Sequence, residues 1–492
     1  MNKNDTTSSL NTLERHRTSL IVLSVFFIGA TLLAISFVLL FQDKQENPDS
    51  KAYQEKHPNV VLIVMDAFRA DRIGAERNGK ELTPFLNSLY DESIVFKNAV
   101  TACTWTRPSM ACIYTSLYMD THQVYYGQSP IVEDVPFSDV LSEELPNMAT
   151  YLKEYGYATL AVQTNSQASA EYGYANGFDT YVFLDAPPGE EATTNALSLV
   201  SKANSPFFLY VHYMDPHTPY NPPQEYLDLV GYNIDNLSSE EGAIVEDFKE
   251  YFWDNINLLI GISNERKFEE LSPEAKECVI ARYDAEILYC DKQVGRIVTS
   301  IRKEHPDTVF IITADHGEHL WDHNYLGHGL TMYDCELRVP LLITGNGIEP
   351  NSIERPVSTV GILPTIAGLL GTPRYSGWQG RNLLETDDGT PSAFAYTRGS
   401  SLSFDIDVET VVFNDMKFIH DKKKNTEELY AWLEDHSEHH NLVEEMPEKA
   451  AQMQNMLLEH RQNNINARRS AYQQKAIDEE TIEQMRRLGY IE

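Results

Sequence analysis

Five continuous apolar runs recur along the chain, and they constrain the fold more than any other feature of the sequence. They lie at residues 59–67, 157–164, 206–215, 308–317 and 339–345. An apolar strand without alternation is typical of a parallel sheet that is covered on both faces. Segments with helical periodicity, such as 286–304, separate the runs. This alternation predicts an α/β fold, with a mostly parallel sheet sandwiched by helices.

Residues of metal-binding types stand at the ends of three of these runs. Asp66 ends the first, Asp215 ends the third and is followed by His217, and Asp315 and His316 stand at the end of the fourth. In such sheets, ligands collect at the carboxyl ends of the strands. A single aspartate of this kind would be interpreted as a helix N-cap. Three such ends together predict a metal site.

Two more features of the loops favour a metal centre. Gly317 follows Asp315 and His316 and allows the backbone to bend closely. His328, in "LGHGL", and His217, in "DPHTPY", each stand in a loop bent by glycine or proline. A lone loop histidine is usually just solvated. Several nitrogen and oxygen ligands in bent loops indicate a divalent metal.

The stretch "TACTWTRPSMACIYTS", residues 101–116, carries the candidate nucleophile. Pro108 suits the first turn of a helix, so a helix is predicted to begin near Thr106. Thr106 could serve only as a cap. A helix N-terminus also holds anionic groups well, and a metal can activate a hydroxyl placed there.

From Asn59 onward the chain resembles the sulfatase family of the alkaline phosphatase superfamily. The motifs that carry the resemblance are "NVVLIVMDAFRAD", "TRPSMACIYTSLY", "YLKEYGYATLAVQTN", "HYMDPHTPY", "RYDAEILYCDKQVGRI", "TADHGEHL" and "GHGLTMYDCELRVPLL". The resemblance implies an alkaline-phosphatase-like catalytic domain over 58–390 that acts on sulfuric or phosphoric esters. Beyond residue 390, hairpin-like alternation and a charged, helix-friendly tail predict a smaller α+β subdomain over 391–492.

The chain departs from the family pattern at the catalytic position. Thr106 stands where sulfatases carry a Cys or Ser that becomes formylglycine. Cys103 offers a rival register, because Arg107 follows it at the spacing of the modification motif, but Trp105 then takes the place of the proline. The register with Thr106 accounts for more residues. Met110 also replaces the arginine of the signature.

Two further departures concern the metal. Ala67 stands where many sulfatases have a second metal-binding aspartate, and His316 stands where they have an amide. The exchange makes the site less suited to calcium and richer in nitrogen. We therefore expect Zn²⁺ or Mn²⁺, with Ca²⁺ and Mg²⁺ as alternatives.

We predict that Thr106 is the nucleophile and that phosphate mono- or diesters are the substrates. The resemblance implies a set of roles for the site residues. A metal is held by Asp66, Asp315, His316 and Thr106; His217 and His328 contact the ester or protonate the leaving group; Asn165, in the place of a sulfatase lysine, binds an ester oxygen; and Arg107 is either a substrate clamp or a surface residue at the helix start.

Three alternatives remain open at this point. Asp215, His217 and His328 could hold a second metal ion. The chain could be a true sulfuric ester hydrolase. It could also be a non-catalytic, membrane-anchored binding protein that keeps the fold.

Composition limits the partners. The formal net charge of −34 argues against a nucleic-acid partner and requires a local positive centre to capture an anionic ester. Five widely spaced cysteines do not form a disulfide framework, and Cys278 and Cys290 are expected to be buried thiols.

Residues 19–41 form an uncharged run long enough to cross a bilayer, and basic residues precede it. We expect a cytoplasmic tail over 1–18, a transmembrane helix over 19–41 and a polar linker over 42–57. The catalytic domain is then periplasmic or extracellular.

Overall fold

The computed structural model describes residues 57–126, 129–132, 135–248, 251, 271–385, 392–399, 406–468 and 474–476. The chain divides into two compact units, Met1–His57 and Pro58–Glu492. The predicted tail, membrane span and linker lie outside the described residues, apart from His57. No helix in the described part of the chain is both long and apolar enough to span a bilayer. The domain boundary near residue 390 stays a prediction.

A central sheet of eight strands organises the second unit. In chain order its strands are β1 Asn59–Met65, β2 Ser93–Phe96, β3 Ala158–Gln163, β4 Thr180–Phe183, β5 Phe207–Tyr213, β6 Thr308–Ala314, β7 Leu341–Gly345 and β8 Asn351–Ile353. Each of the five apolar runs forms one of these strands, as predicted. Every residue of β1, β5 and β6 is buried, which requires that both faces of the sheet be covered.

The strands lie in the spatial order β8-β2-β7-β6-β1-β5-β3-β4. Strands β6, β1, β5, β3 and β4 are all parallel to their neighbours in this order. Strand β7 runs antiparallel to both β6 and β2, so a uniformly parallel arrangement of the five runs is not observed. The carboxyl ends of β6, β1, β5 and β3 therefore meet along one edge of the sheet.

The described α-helices include one at the nucleophile position and a long helix that packs beside the sheet. They are α1 Pro84–Ser88, α2 Thr106–Thr115, α3 Met119–His122, α4 Met148–Glu154, α5 Gly189–Val200, α6 Gln224–Val230, α7 Ser239–Glu246, α8 Pro273–Glu304, α9 Asp334–Leu337, α10 Ile362–Leu370 and α11 Pro447–Asn466. Single 3₁₀ turns lie at Ala70–Arg72, Tyr90–Glu92, Ser166–Ala168, Ala170–Tyr172, Asp322–Asn324 and Thr359–Gly361. Helix α8 contains the predicted helical segment 286–304 and begins with Pro273, capped by the Ser272 side chain.

A separate antiparallel sheet of four strands follows toward the C-terminus. Its strands are β9 Ala393–Arg398, β10 Asp407–Phe413, β11 Met416–Asp421 and β12 Thr426–Tyr430, each paired with the next. Helix α11 packs on this sheet, and its buried Met453 and Leu457 share an apolar cluster with Phe418 and Leu429. This arrangement agrees with the hairpin-and-helix pattern expected beyond residue 390.

Short strands complete the described structure. They are Glu76–Arg77 with Lys80–Glu81; Arg338–Val339, Ala99–Val100 and Val357–Ser358; His319–Leu320 with Leu326–Gly327; and Gln474–Ala476, Val135–Asp139 and Ser129–Val132. All five cysteines are free thiols. Cys278 and Cys290 are buried, as predicted.

Candidate active site

Three predicted ligands meet at the carboxyl edge of the central sheet. Asp66 directly follows β1, and Asp315 and His316 directly follow the adjacent strand β6. Nε2 of His316 lies 3.5 Å from Asp66 Oδ1 and 3.5 Å from Asp315 Oδ2, and all three side chains are fully buried. The parallel register of β1 and β6 brings residues 250 positions apart in sequence into one cluster.

The backbone around this cluster is unusually constrained. Ala67 adopts a left-handed conformation, with φ of 55°, and its N–H donates to Asp315 Oδ1 at 3.3 Å. Gly317 packs so closely on α9 that a Cβ would lie 1.9 Å from the carbonyl oxygen of Cys335. This close approach leaves room only for glycine at position 317.

Thr106 is the first residue of α2 and faces the cluster. Its Oγ1 lies 3.3 Å from His316 Nε2 and 3.2 Å from Asn165 Nδ2. Trp105 holds the N-cap position, so Thr106 does not act as the cap of this helix. The helix contacts the loop that carries Asp315 and His316 through Ser109, whose hydroxyl donates to the Asp315 carbonyl oxygen at 2.6 Å. The predicted helix start near Thr106 is confirmed.

Asn165 follows β3 and connects the hydroxyl to the carboxylates. Its Oδ1 accepts the backbone N–H of Gln167, which fixes the orientation of the amide. Its Nδ2 then donates to Asp66 Oδ2 at 2.6 Å and to Thr106 Oγ1 at 3.2 Å. In this structure Asn165 is a donor to the nucleophile candidate and to a metal ligand candidate.

The His316 ring is oriented as a metal ligand requires. Its Nδ1 lies 2.8 Å from the Gly317 carbonyl oxygen. Because a carbonyl only accepts, Nδ1 carries a proton, and Nε2 is the nitrogen that faces Asp66, Asp315 and Thr106. Burial disfavours the charged ring, but the Asp315 and Asp66 carboxylates raise the pKa of His316. A cation bound between these carboxylates would find the lone pair of Nε2 in the neutral ring. A backbone carbonyl that fixes the tautomer in this way is typical of metal-binding histidines.

The carboxylates themselves fit a divalent cation. Asp66 Oδ1 and Asp315 Oδ2 are buried and accept no hydrogen bond from any residue that the structure describes. Burial and the nearby Asp66 carboxylate raise the pKa of Asp315 to about 6. Burial also opposes ionisation of Asp66, but the imidazoles of His217, His212 and His316 hold its pKa well below the usual range. Two such carboxylates side by side need a positive charge between them.

His212 belongs to the site although no motif points to it. It lies on β5, and its Nε2 is 2.9 Å from Asp66 Oδ2. The ligand atoms of Asp66, His212 and Asp315 all lie within 4.8 Å of one another. The available signal in the sequence is that His212 carries an imidazole in the run 207–213, in which the six remaining residues are all aromatic or aliphatic.

His217 and His328 line the same site. The ring centroid of His328 lies 4.3 Å from that of His316 and 4.9 Å from that of His217. His217 Nδ1 donates to the Thr218 carbonyl oxygen, so Nε2 is the nitrogen of this ring that is left to contact a substrate. Burial lowers the pKa of His217 to about 4 and that of His328 to about 3, so both rings are neutral at pH 7. Glu318 Oε1 lies 3.0 Å from His328 Nδ1 and orients the ring.

Arg107 is neither a surface residue nor aimed at the cluster. It is fully buried, its guanidinium donates to Gln167 Oε1 at 2.6 Å and to Ser138 Oγ, and it stacks on Tyr172 with 3.6 Å to the ring centroid. The interpretation as a surface residue is wrong, and the interpretation as a substrate clamp gains no support. The guanidinium instead joins α2 to the segments that contain Ser138, Gln167 and Tyr172.

The second-metal alternative also gains no support. The buried Asp215 carboxyl lies beside that of Glu286, and burial raises the pKa of Asp215 to about 6 and that of Glu286 well above its ordinary value. Within the described residues, the groups of three ligand side chains that cluster closely are Asp66 with His212 and Asp315, and His319 with Asp322 and Cys335. Asp215 belongs to neither group.

Cys103 has different surroundings from Thr106. Its Sγ lies 3.9 Å from Cys112 Sγ, in an apolar cluster with Met119 and Phe394. Burial raises its pKa well above the ordinary value. Its described contacts include none of the candidate ligands.

Comparison with known proteins finds a family model and relatives that match most of the chain. Residues 58–372 match the sulfatase family model. The uncharacterized sulfatase YidJ of Escherichia coli strain K12 is 24% identical over 437 residues, which cover 80% of this chain and 84% of the relative.

Solved structures share the fold. A 2-O GAG sulfatase superposes with a TM-score of 0.66 and 19% identity, over 87% of this chain and 96% of that one. The phosphonate monoester hydrolase of Agrobacterium radiobacter superposes with a TM-score of 0.65 and 20% identity, over 83% of this chain and 96% of that one. The predicted α/β fold is confirmed.

Proposed function

Because the chain belongs to the sulfatase family, whose members hydrolyse sulfuric or phosphoric esters, we propose that it cleaves or transfers phosphate mono- or diesters with Thr106 as nucleophile. The position of the Thr106 hydroxyl carries the proposal. It stands at a helix N-terminus, 3.3 Å from His316 Nε2 and 3.2 Å from Asn165 Nδ2. A helix N-terminus also favours the anionic group that is transferred.

Asp66, Asp315, His316 and the Thr106 oxygen would hold the divalent cation. Bound there, it would supply positive charge that lowers the pKa of the Thr106 hydroxyl and offsets charge on the ester oxygens. Its nitrogen-containing ligand set favours Zn²⁺ or Mn²⁺ over Ca²⁺ or Mg²⁺.

The surrounding residues have distinct roles in the proposed reaction. The Thr106 hydroxyl releases its proton to solvent when it is activated. Its Oγ1 then attacks phosphorus in line as the bond from phosphorus to the departing oxygen breaks, and a phosphothreonine forms. Asn165 Nδ2 donates to Oγ1 and stabilises the negative charge that this atom gains. The anionic ester raises the pKa of the neutral His217 and His328 rings, which then donate to the ester oxygens or to the leaving group.

Phosphate is favoured over sulfate because of how the intermediate is released. Formylglycine expels sulfate by elimination from an aldehyde hydrate, and threonine has no such group. A phosphothreonine can be released by attack of water, or by an acceptor alcohol when the group is transferred. A phosphonate monoester hydrolase and a 2-O GAG sulfatase both share the fold, so the fold itself is compatible with either ester.

Paired substrates test the proposal. The purified chain, loaded with Zn²⁺ or Mn²⁺, is assayed on nitrophenyl phosphate, bis-nitrophenyl phosphate and nitrophenyl sulfate. We expect a phosphorus ester to be the best substrate and Thr106→Ala to lose on the order of 10³-fold or more in kcat. Thr115→Ala is the matched control, since Thr115 lies on the same helix but bonds the Ala111 carbonyl at 2.6 Å.

The sulfatase alternative makes the opposite prediction. Preferred turnover of nitrophenyl sulfate, with formylglycine found by mass spectrometry at Cys103, would move the nucleophile three residues upstream. A Thr106→Ala variant with near-normal turnover would exclude Thr106 in either case. Turnover of none of the three esters by a metal-loaded, folded chain would favour the non-catalytic binding protein.

The location of the enzyme is also part of the proposal. The uncharged run 19–41 would anchor the chain with its N-terminus in the cytoplasm and the catalytic domain outside. A reporter protein fused after residue 60 should be located outside the cytoplasm. The same reporter fused after residue 17 should be located in the cytoplasm. Cytoplasmic activity of the longer fusion would contradict this topology.

A further inference from the structure

A second cluster of metal-ligating side chains lies apart from the proposed catalytic one. His319, Asp322 and Cys335 each offer one ligand atom, and these atoms all lie within 4.8 Å of one another. Sγ of Cys335 is 3.1 Å from His319 Nδ1. Asp322 and Cys335 line a cavity of about 450 Å³, and His323, His436 and His439 also line it. The cavity gives an ion a path to the cluster.

The His319 ring is held with one nitrogen directed at the thiol. Its Nε2 lies 2.8 Å from Glu336 Oε1 and 2.8 Å from Thr331 Oγ1. The Glu336 carboxylate is itself fixed by the backbone N–H groups of Gly329 and Thr331, at 2.6 and 2.9 Å. With the Nε2 proton donated to Glu336, the lone pair of Nδ1 faces Cys335. A carboxylate behind a histidine in this way is the usual support of a metal ligand.

Asp322 is also fixed in place. Arg69 forks onto its two oxygens at 2.6 and 3.2 Å, and the N–H of Leu320 donates to Oδ2 at 2.9 Å. Carboxylates that bind metals are commonly hydrogen-bonded from behind, and the Arg69 fork has this position. All three candidate ligands are therefore oriented before any ion binds.

We propose that His319, Asp322 and Cys335 bind a second divalent cation, of the zinc type, with the fourth position open to the cavity. One thiolate sulfur, one imidazole nitrogen and one carboxylate oxygen are a set that Zn²⁺ takes readily and that Ca²⁺ and Mg²⁺ do not. Without an ion, the Cys335 thiol proton is donated to Nδ1. When the ion binds, the Cys335 thiol proton is released to solvent as the S–metal bond forms.

The ion would brace the loops that carry the catalytic histidines. His319 lies three residues after His316, and it starts the hairpin His319–Leu320 with Leu326–Gly327, directly before His328. Cys335 belongs to α9, whose backbone already holds Gly317 and Glu318 at 2.7 and 2.8 Å. The site would therefore tie α9 to the segment between His316 and His328.

Cobalt spectroscopy tests this site without reference to activity. The full chain is stripped with a chelator and titrated with Co²⁺, since thiolate ligation gives a near-ultraviolet charge-transfer band and the proposed catalytic ligands include no thiolate. We expect the band intensity to correspond to one thiolate-bound Co²⁺ per chain and to reach its plateau by two equivalents, because the proposed catalytic cluster also takes up Co²⁺. The band should vanish on addition of Zn²⁺, which binds such ligands more tightly. Cys335→Ser should abolish it.

Matched variants separate the two sites. Cys278→Ser, which removes a buried thiol elsewhere, and Asp315→Asn, in the proposed catalytic cluster, should both keep the band. Glu336→Gln should weaken Co²⁺ binding at this site by roughly 10–100-fold. Absence of the band in the wild-type chain, or its survival in Cys335→Ser, overturns the proposal whether or not the catalytic assignment holds.

Discussion

Nε2 of His212 lies 2.9 Å from Oδ2 of Asp66, and both side chains are fully buried. A chain of hydrogen bonds stands behind this contact. Gln163 Oε1 accepts the backbone N–H groups of Thr164 and Asn165, so its Nε2 donates to the Tyr210 hydroxyl at 3.0 Å. The Tyr210 hydroxyl lies 2.7 Å from His212 Nδ1 and can donate to it, which leaves the ring proton on Nε2. His212 is thus positioned as a donor to Asp66 rather than as a metal ligand.

Loss of this donor should weaken metal binding. We expect His212→Ala to reduce metal affinity by roughly 10–100-fold, and Tyr210→Phe to reduce it less, because the ring stays but its tautomer is no longer fixed. Competitive titration with a fluorescent chelator measures both. Tyr213→Phe is the control, since this tyrosine of the same strand bonds Thr193. A greater loss of metal affinity in Tyr210→Phe than in His212→Ala would contradict the proposal that Tyr210 acts on Asp66 through His212.

Removal of a direct ligand should have a larger effect. Asp315→Asn replaces a carboxylate whose Oδ2 accepts no hydrogen bond from the described residues, so metal content and turnover should fall together. Elemental analysis of the purified chain and ester hydrolysis measure the two. Full metal content with full turnover would exclude Asp315 as a ligand.

The control for this prediction is another buried aspartate. Asp291, on α8, accepts the backbone N–H groups of Phe85 and Leu86, both at 2.8 Å, and neither of these bonds involves a candidate metal ligand. Burial raises its pKa to about 7. Asparagine keeps one of the two acceptor oxygens, so this variant removes a buried carboxylate without changing a candidate metal ligand. Asp291→Asn should keep both metal and turnover.

The strands were predictable because burial on both faces of a sheet requires a continuous run of apolar residues. Runs such as 59–67 and 308–317 contain no charged residue until the strand ends, so the position of Asp66 and of Asp315 at the sheet edge follows from the sequence. The direction of β7 did not follow, because the apolar run 339–345 reads the same in a parallel or an antiparallel strand. Sheet neighbours are set by contacts between distant segments.

The candidate site was predictable only where a residue stands at a strand end, in a bent loop or at a predicted helix start. Thr106, Asp315 and His316 satisfy this condition. His212 does not, because its side chain reaches the site from within a strand. The direction of the Arg107 side chain depends on Gln167 and Tyr172, and no local pattern around residue 107 contains that information.

Asn165 should matter to the rate more than to binding. Asn165→Ala removes the donors to Thr106 and Asp66, and we expect kcat to fall on the order of 10²-fold with a smaller change in KM. Asn165→Asp should not rescue turnover, because it places a second carboxylate against Asp66. Steady-state kinetics on the best nitrophenyl ester distinguish these outcomes. Asn176→Ala, at an exposed amide that bonds the Glu143 carbonyl, is the control.

A carboxylate on α3 joins the catalytic part of the chain to the C-terminal sheet. Asp120 Oδ1 lies 2.7 Å from Arg398 NH1, its Oδ2 lies 3.4 Å from Arg461 Nε, and its carbonyl accepts from Arg468 at 2.7 Å. Burial opposes its ionisation, but the three arginines lower the pKa of Asp120 below its ordinary value of 3.8. The native state therefore favours the charged form.

Asp120→Asn should lower the free energy of unfolding by about 2 kcal/mol at pH 7, less than a fully buried pair because the arginines are partly exposed. A depressed native pKa contributes stability above the ordinary pKa, and this contribution is lost as the pH falls through the native value. The difference between wild type and Asp120→Asn should thus be constant from pH 7 to about 5 and shrink below about 4. Urea unfolding across this range measures it, with Asp228→Asn, an exposed change expected within about 0.5 kcal/mol, as the control. A difference between wild type and Asp120→Asn that persists unchanged at low pH would mean that Asp120 stabilises the junction through its shape rather than its charge.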